Sequence, residues 1–314
     1  MPKPSPEMQE ILDRVKELDL APWESMPAAQ ARAESVVRNA YWNEDPHPIA
    51  EVREETIPGP HGRMRVRIYD PDPEDRAGPG LLYLHGGGWV ICSLDTHDGV
   101  CRRLADFGRL KVVSLDYRMA PEFPFPGPLD DCVAAARWLG EHARAFRIDP
   151  QRLAIGGDSA GANLSLATLL VLRDAGESVF RGGALIYGVY SDDHTTKSHK
   201  LWGGGEYILS TATMEWFWNL YVPDPAQRRD PRAAPLHADL RGLPPLFVSA
   251  AELDPLYDDS ERLKARLAEA GVETTYHVWP GVTHACIMFS RMLPDADRQL
   301  QQVADWVRGK LTSS

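Results

Sequence analysis

Four short stretches carry residues that can run one reaction. Ile155-Gly156-Gly157-Asp158-Ser159-Ala160-Gly161 holds a G-x-S-x-G with Ser159 at its centre. A serine hydroxyl is a weak nucleophile until a base takes its proton. His85-Gly86-Gly87-Gly88-Trp89 offers consecutive glycines whose exposed N–H groups, with that of Ala160, can hold the oxyanion of a tetrahedral intermediate. His284, in Gly281-Val282-Thr283-His284, is the candidate base. Asp254, in Glu252-Leu253-Asp254-Pro255-Leu256, is the candidate that orients the imidazole and stabilises its charged form. A bare G-x-S-x-G also fits an ordinary strand-helix turn, and a triple glycine alone fits a flexible loop or a phosphate cradle. The loop lacks the G-x-x-x-x-G-K-[ST] pattern. Asp254 alone also fits a helix cap, with Pro255 opening the helix and Asp258 or Asp259 as rival caps. It is the four together, in the chain order Ser159, Asp254, His284, that point to nucleophilic acyl transfer.

These groups need strands that end at them. Leu153-Ala154-Ile155 reads as a buried strand, and Leu164, Leu166, Ala167, Leu169 and Leu170 read as the helix that follows. Val52–Ile57 and Met64–Tyr69 alternate around the turn signal Pro58-Gly59-Pro60-His61-Gly62 and predict an antiparallel opening. Gly80–Leu84 ends at His85, and Val112–Leu115 ends at Asp116. Ala184–Tyr187, Leu246–Ala250 and Thr274–Trp279 complete eight strands. Helical patterns at Val100–Phe107 and Cys132–Phe146 alternate with them, which predicts a mostly parallel sheet with helices on both faces.

Two regions stand outside that rhythm. Residues 7–20 and Ala28–Trp42 predict two N-terminal helices, carrying Trp23, Tyr41 and Trp42 nearby. Residues 188–243 are too long for one crossover helix and hold Trp202-Gly203-Gly204-Gly205, then Met214, Trp216, Phe217, Trp218 and Tyr221. The expected organisation is N-terminal cap helices over 1–45, a catalytic domain over 46–187 and 226–314, and a cap insertion over 188–225. The candidate substrate contacts are Trp89, Asp158, Trp202 and Tyr207. For Asp158 a structural hydrogen bond is the competing role.

The chain has 314 residues, 43% of them hydrophobic, so one large domain with additions is available. A formal net charge of −11 argues against nucleic acid and anionic membrane as partners. No N-terminal apolar segment or membrane-length run is present. The four cysteines, Cys92, Cys101, Cys132 and Cys286, have no zinc spacing and suit a reduced, cytoplasmic protein. Asp192, Asp193, His194 and His199 fit no standard metal spacing and read as a solvated loop. His61, His97 and His277 have no evident partners, and Cys286 reads as packing.

His85-Gly86-Gly87-Gly88-Trp89, Asp116-Tyr117-Arg118-Met119-Ala120-Pro121-Glu122, Gly157-Asp158-Ser159-Ala160-Gly161 and Asp254-Pro255-Leu256 together resemble the hormone-sensitive-lipase-like group of α/β-hydrolases, the bacterial family IV carboxylesterases. The resemblance runs from about residue 50 to the end, and the N-terminal helices resemble the family's cap. It implies an α/β-hydrolase fold with a helical cap and a serine carboxylesterase acting on short- to medium-chain acyl esters without a cofactor. It implies Ser159 as nucleophile, His284 as base and Asp254 as acid. The oxyanion hole would come from Gly86, Gly87, Gly88 and Ala160, with Gly86 shaping the loop and the inward glycine pair left open. A homodimer through the last strand and helix is also implied. Ala285, Ala162 and Tyr257 depart from the family's usual residues and bear on substrate fit. An amidase, lactonase or carbamate hydrolase would need the same residues. A ligand receptor like the plant gibberellin receptor lacks the base histidine, which is present here.

Overall fold

The computed structural model describes residues 1–75 and 77–312. Two helices come first, α1 (Pro6–Glu17) and α2 (Ala28–Ala40). Ser5 caps α1 by accepting the Met8 N–H, and Met8 and Ile11 are the side chains α1 buries. The sheet follows with β1 (Glu51–Gly59), β2 (Gly62–Asp70), β3 (Gly78–Leu84), α3 (Asp98–Gly108), β4 (Lys111–Leu115), α4 (Gly127–His142), β5 (Ile148–Asp158) and α5 (Ala160–Asp174). Then come β6 (Gly183–Ile186), α6 (Lys197–Trp202), α7 (Thr211–Tyr221), β7 (Leu246–Leu253), α8 (Tyr257–Glu269), β8 (Thr274–Thr283) and α9 (Pro294–Thr312).

The eight strands form one sheet in the order β1-β2-β4-β3-β5-β6-β7-β8. β1 and β2 pair antiparallel around Pro60-His61, with Gly59 opposite Gly62, so both strands run further into the turn than the alternation alone indicates. β2 meets β4 antiparallel, and every pairing from β4 through β8 is parallel. β5 is longer than the apolar core Leu153–Ile155 suggests, because the polar segment from Ile148 joins the ladder against β3.

The sheet separates two apolar cores. Successive residues of β3 alternate between them: Leu82 and Leu84 join α4 and α5 on one face, while Leu81 and Tyr83 join α3 and α9 on the other. Burial on both faces explains why β3 reads as an unbroken apolar run. The parallel arrangement has one consequence for chemistry. The residues just past the carboxyl ends of β3 to β8 are His85, Asp116, Ser159, Tyr187, Asp254 and His284. In such sheets this is the edge where ligands bind.

The segment between β6 and β7 is held to the domain by a buried carboxylate. Asp259 of α8 accepts the N–H groups of Tyr190 at 2.7 Å and Ser191 at 3.0 Å. Burial raises its pKa to about 7, against the pull of those two N–H groups. The folded state therefore holds a proton that the unfolded chain has lost. The stability that Asp259 adds should be full below about pH 4 and fall, by a few kcal/mol at most, as pH rises to about 7. Urea unfolding measured across this window should show wild-type stability falling relative to that of Asp259→Asn as pH rises, since the other titrating groups are common to both.

Candidate active site

The β5–α5 turn is the tightest point of the site. Ser159 sits between them with φ 53° and ψ −119°, a backbone conformation that non-glycine residues rarely adopt. A Cβ at Gly157 or Gly161 would overlap the carbonyl oxygen of Leu84, at the end of β3. Glycine at both positions lets the turn press against β3, and the Ser159 side chain is driven up from the sheet edge. The Ser159 N–H is fixed by the Ile186 carbonyl at 2.9 Å.

A hydrogen-bonded relay reaches this serine from two other strands. Ser159 Oγ lies 2.9 Å from His284 Nε2, and His284 Nδ1 lies 2.7 Å from Asp254 Oδ2. Asp254 has no solvent exposure, and Ser159 and His284 are each 6% exposed. The second Asp254 oxygen, Oδ1, accepts the Leu256 N–H at 2.8 Å. The turn role and the imidazole role, which the sequence presents as rivals, are thus divided between two oxygens of one carboxylate. α8 begins at Tyr257, and neither Asp258 nor Asp259 caps it. Tyr187 packs its ring 4.8 Å from that of His284, covering the imidazole from β6.

The glycine loop faces the serine. Gly87 and Gly88 have φ 111° and 58°, and both line the same cavity as Ser159. Among the described residues the N–H groups of Gly87, Gly88 and Ala160 meet no acceptor, so they are available to an oxyanion. The Gly86 N–H is not: it donates to Asp158 Oδ1 at 3.1 Å. Gly86 therefore leaves the set of expected oxyanion donors. Its engagement follows from the buried carboxylate beneath it.

Asp158 is the hub under the loop. It accepts from the Tyr83 hydroxyl at 2.7 Å and faces His97 Nε2 at 3.3 Å. Burial alone would raise its pKa, but His97, Tyr83 and His85 outweigh that and hold it below the ordinary aspartate value. Asp158 lines the cavity, yet its oxygens are taken by the protein, so it serves as an anchor rather than as a substrate contact. His85 stacks on Tyr117 at 4.4 Å, and burial brings its pKa down to about 4, leaving it neutral at pH 7. His97 has no sequence signal of its own; only the fold brings it to Asp158.

A cavity of about 710 Å³ opens over Ser159. Its walls come from α1 and α2 with the segment between them, from the glycine loop, and from the region between β6 and β7. Trp23, Trp42, Met214 and Phe217 line it, as do Gly203, Gly204, Gly205 and Ile208. Three expected contacts, Trp89, Trp202 and Tyr207, do not. Trp89 is fully buried and stacks on Tyr221 at 4.2 Å, with Trp218 against its edge at 5.1 Å. Trp202 is buried edge-on against Tyr207, and the glycines that follow it form the wall instead. The stripe of α7 forms one buried helical face, from which Met214 and Phe217 also line the cavity while Trp218 and Tyr221 do not. Among the described residues no group of three or more His, Cys, Asp or Glu side chains is arranged to hold a metal. His194 and His199 pack 5.1 Å apart, and Cys286 is buried against Gln299.

A family profile described as an alpha/beta hydrolase fold matches residues 81–288. An ethyl acetate hydrolase of Pseudomonas putida is 40% identical over 248 residues, 77% of this chain and 77% of that protein. Among solved structures, an alpha/beta hydrolase enzyme from the metagenome of Lake Arreo, Spain, superposes with a TM-score of 0.94 at 37% identity, covering 99% of both chains. A hyperthermophilic esterase from the archaeon Pyrobaculum calidifontis superposes with a TM-score of 0.93 at 35% identity, covering 98% of this chain and 99% of that one.

If Asp254 fixes the imidazole tautomer, Asp254→Asn should fold normally and lose about 10⁴-fold in kcat for p-nitrophenyl acetate. Glu252→Gln should stay near wild type, since the Glu252 carboxylate is occupied with the Gly281 N–H at 2.9 Å. The reverse pattern would move the acid role to Glu252.

Proposed function

The chain belongs to the α/β-hydrolase family, and on that premise we propose that it is a serine carboxylesterase in which Ser159, His284 and Asp254 form the catalytic triad. The observation that carries the proposal is the unbroken relay from Asp254 through His284 to Ser159, facing N–H groups that meet no acceptor among the described residues. In the first step His284 Nε2 takes the Ser159 proton as Oγ attacks the ester carbonyl. The tetrahedral oxyanion sits against the N–H groups of Gly87, Gly88 and Ala160. Asp254 stabilises the imidazolium, which then gives its proton to the departing alkoxide. The alcohol leaves and an acyl-Ser159 ester remains. Water, deprotonated by His284, attacks that ester by the same route and releases the acid.

The substrates are short- to medium-chain acyl esters. In this reading α1 and α2, with the insertion around α6 and α7, act as a cap that closes the substrate space. No described helix is long and apolar enough to cross a membrane. Four free cysteines, three of them buried, fit a reducing compartment such as the cytoplasm.

A walled cavity predicts a peaked acyl profile. Each added methylene gains about 0.8 kcal/mol until the chain meets the wall, after which added carbons clash or stay in water. Over p-nitrophenyl esters of increasing acyl length, kcat/KM should rise, peak within roughly two to eight carbons and then fall, as hydrophobic transfer in a finite site requires. A profile still climbing with emulsified long-chain triglycerides would mean an open site.

A further inference from the structure

The oxyanion loop does not hold its own shape. Four of the six residues from Gly87 to Cys92 have positive φ: Gly87, Gly88, Trp89 at 61° and Cys92 at 71°. Two of these are not glycine, and such backbone persists only when its surroundings over-determine it. Asp158 holds the loop from below at Gly86. Internally, the N–H groups of Val90 and Ile91 close on the Gly87 carbonyl at 3.0 and 2.9 Å. Trp89 is packed against Tyr221 and Trp218, and a further hold comes from α2.

Arg32 of α2 donates from Nε to the Val90 carbonyl at 2.7 Å and from Nη2 to the Ala120 carbonyl at 2.6 Å. The Ala120 N–H in turn donates to the Trp89 carbonyl at 3.0 Å, so Arg32 locks two loops that already touch. Its guanidinium is itself oriented by a two-oxygen pairing with Glu122. One helical turn on, the buried Ser35 hydroxyl accepts the Cys92 N–H at 3.2 Å while donating to the Arg32 carbonyl at 2.7 Å. Positions 32 and 35 share one face of α2. Glu34, Val37 and Arg38, on another face, line the cavity.

We propose that Arg32, seconded by Ser35, is a positioning residue for the reaction: α2 buttresses the oxyanion loop, so the helix that walls the substrate cavity also sets where the Gly87 and Gly88 N–H groups stand. The proposal rests on the carboxylesterase reading above. It gives α2 a role in kcat that a simple cover over the pocket would not have. Small displacements of such donors matter: a misplacement of about 1 Å can cost about a hundredfold in rate.

The test is steady-state kinetics on p-nitrophenyl butyrate, paired with the Ki of a trifluoromethyl ketone, which forms a tetrahedral adduct and needs the oxyanion hole. Arg32→Met should lower kcat by about tenfold or more with KM within about threefold, as expected when an interaction made in the transition state is lost. The ketone Ki should rise in parallel with the fall in kcat/KM. Arg32→Lys should recover part of the loss, because it keeps the charge and a donor but not the fork. Ser35→Ala, which leaves Arg32 in place, should show a smaller change of the same kind. Arg137→Met, which removes a surface pair with Glu177, should leave kcat unchanged. If Arg32→Met fails to fold, Arg32→Lys and Ser35→Ala carry the measurement. Folded variants with wild-type kcat, or with reduced kcat and an unaltered ketone Ki, would overturn the proposal. A wild-type protein inert toward every ester would instead defeat the carboxylesterase reading, and this proposal with it.

Discussion

The site depends on one close approach. The turn carrying Ser159 presses against the end of β3 so tightly that no side chain fits at Gly157 or Gly161. That contact forces Ser159 into its positive-φ conformation and puts its hydroxyl above the sheet edge. It also brings the β5–α5 turn beside the loop that leaves β3, so Ser159 and the N–H groups of Gly87 and Gly88 are adjacent by construction. His284 and Asp254 reach the same point from β8 and β7 because parallel strands end at one edge. The strain at Ser159 is sustained by the two apolar cores that clamp β3 and β5 between helices.

Under the loop lies a charge that the protein has paired with care. An isolated buried carboxylate would be costly. Asp158 is held ionised by His97, the Tyr83 hydroxyl and the Gly86 N–H, the last two from the end of β3 and the loop it enters. The arrangement ties the residue before Ser159 to the first glycine of the loop after β3. Neutral His85, stacked on Tyr117, fills the space beside it without adding a competing charge. Above the loop, α2 applies the opposite constraint through Arg32 and Ser35. The glycine loop is thus held between a buried anion and a helix that also faces the cavity.

The parallel sheet, the strand ends and the chain order of Ser159, Asp254 and His284 are all legible in the sequence, because hydrophobic periodicity and glycine placement are local signals. What escapes the sequence is contact between distant segments. Nothing near His97 or Arg32 marks either as part of the site; Asp158 and Val90 reach them only through the fold. Trp89 and Trp202 misdirect the reading for a related reason. A tryptophan beside a motif suggests a ligand contact, but the wall needs thin backbone there, and Gly203 to Gly205 supply it while the indoles pack inward. Asp254 shows a third limit. Residue type alone suggests a choice between turn and relay, whereas two oxygens allow both.

The central claim is that Ser159 is the acylated nucleophile. Reaction with a fluorophosphonate, followed by proteolysis and peptide mass spectrometry, tests it most directly. The account predicts stoichiometric loss of activity with a single adduct on Ser159. Complete labelling at another residue, or undiminished ester turnover after full modification of Ser159, would contradict it.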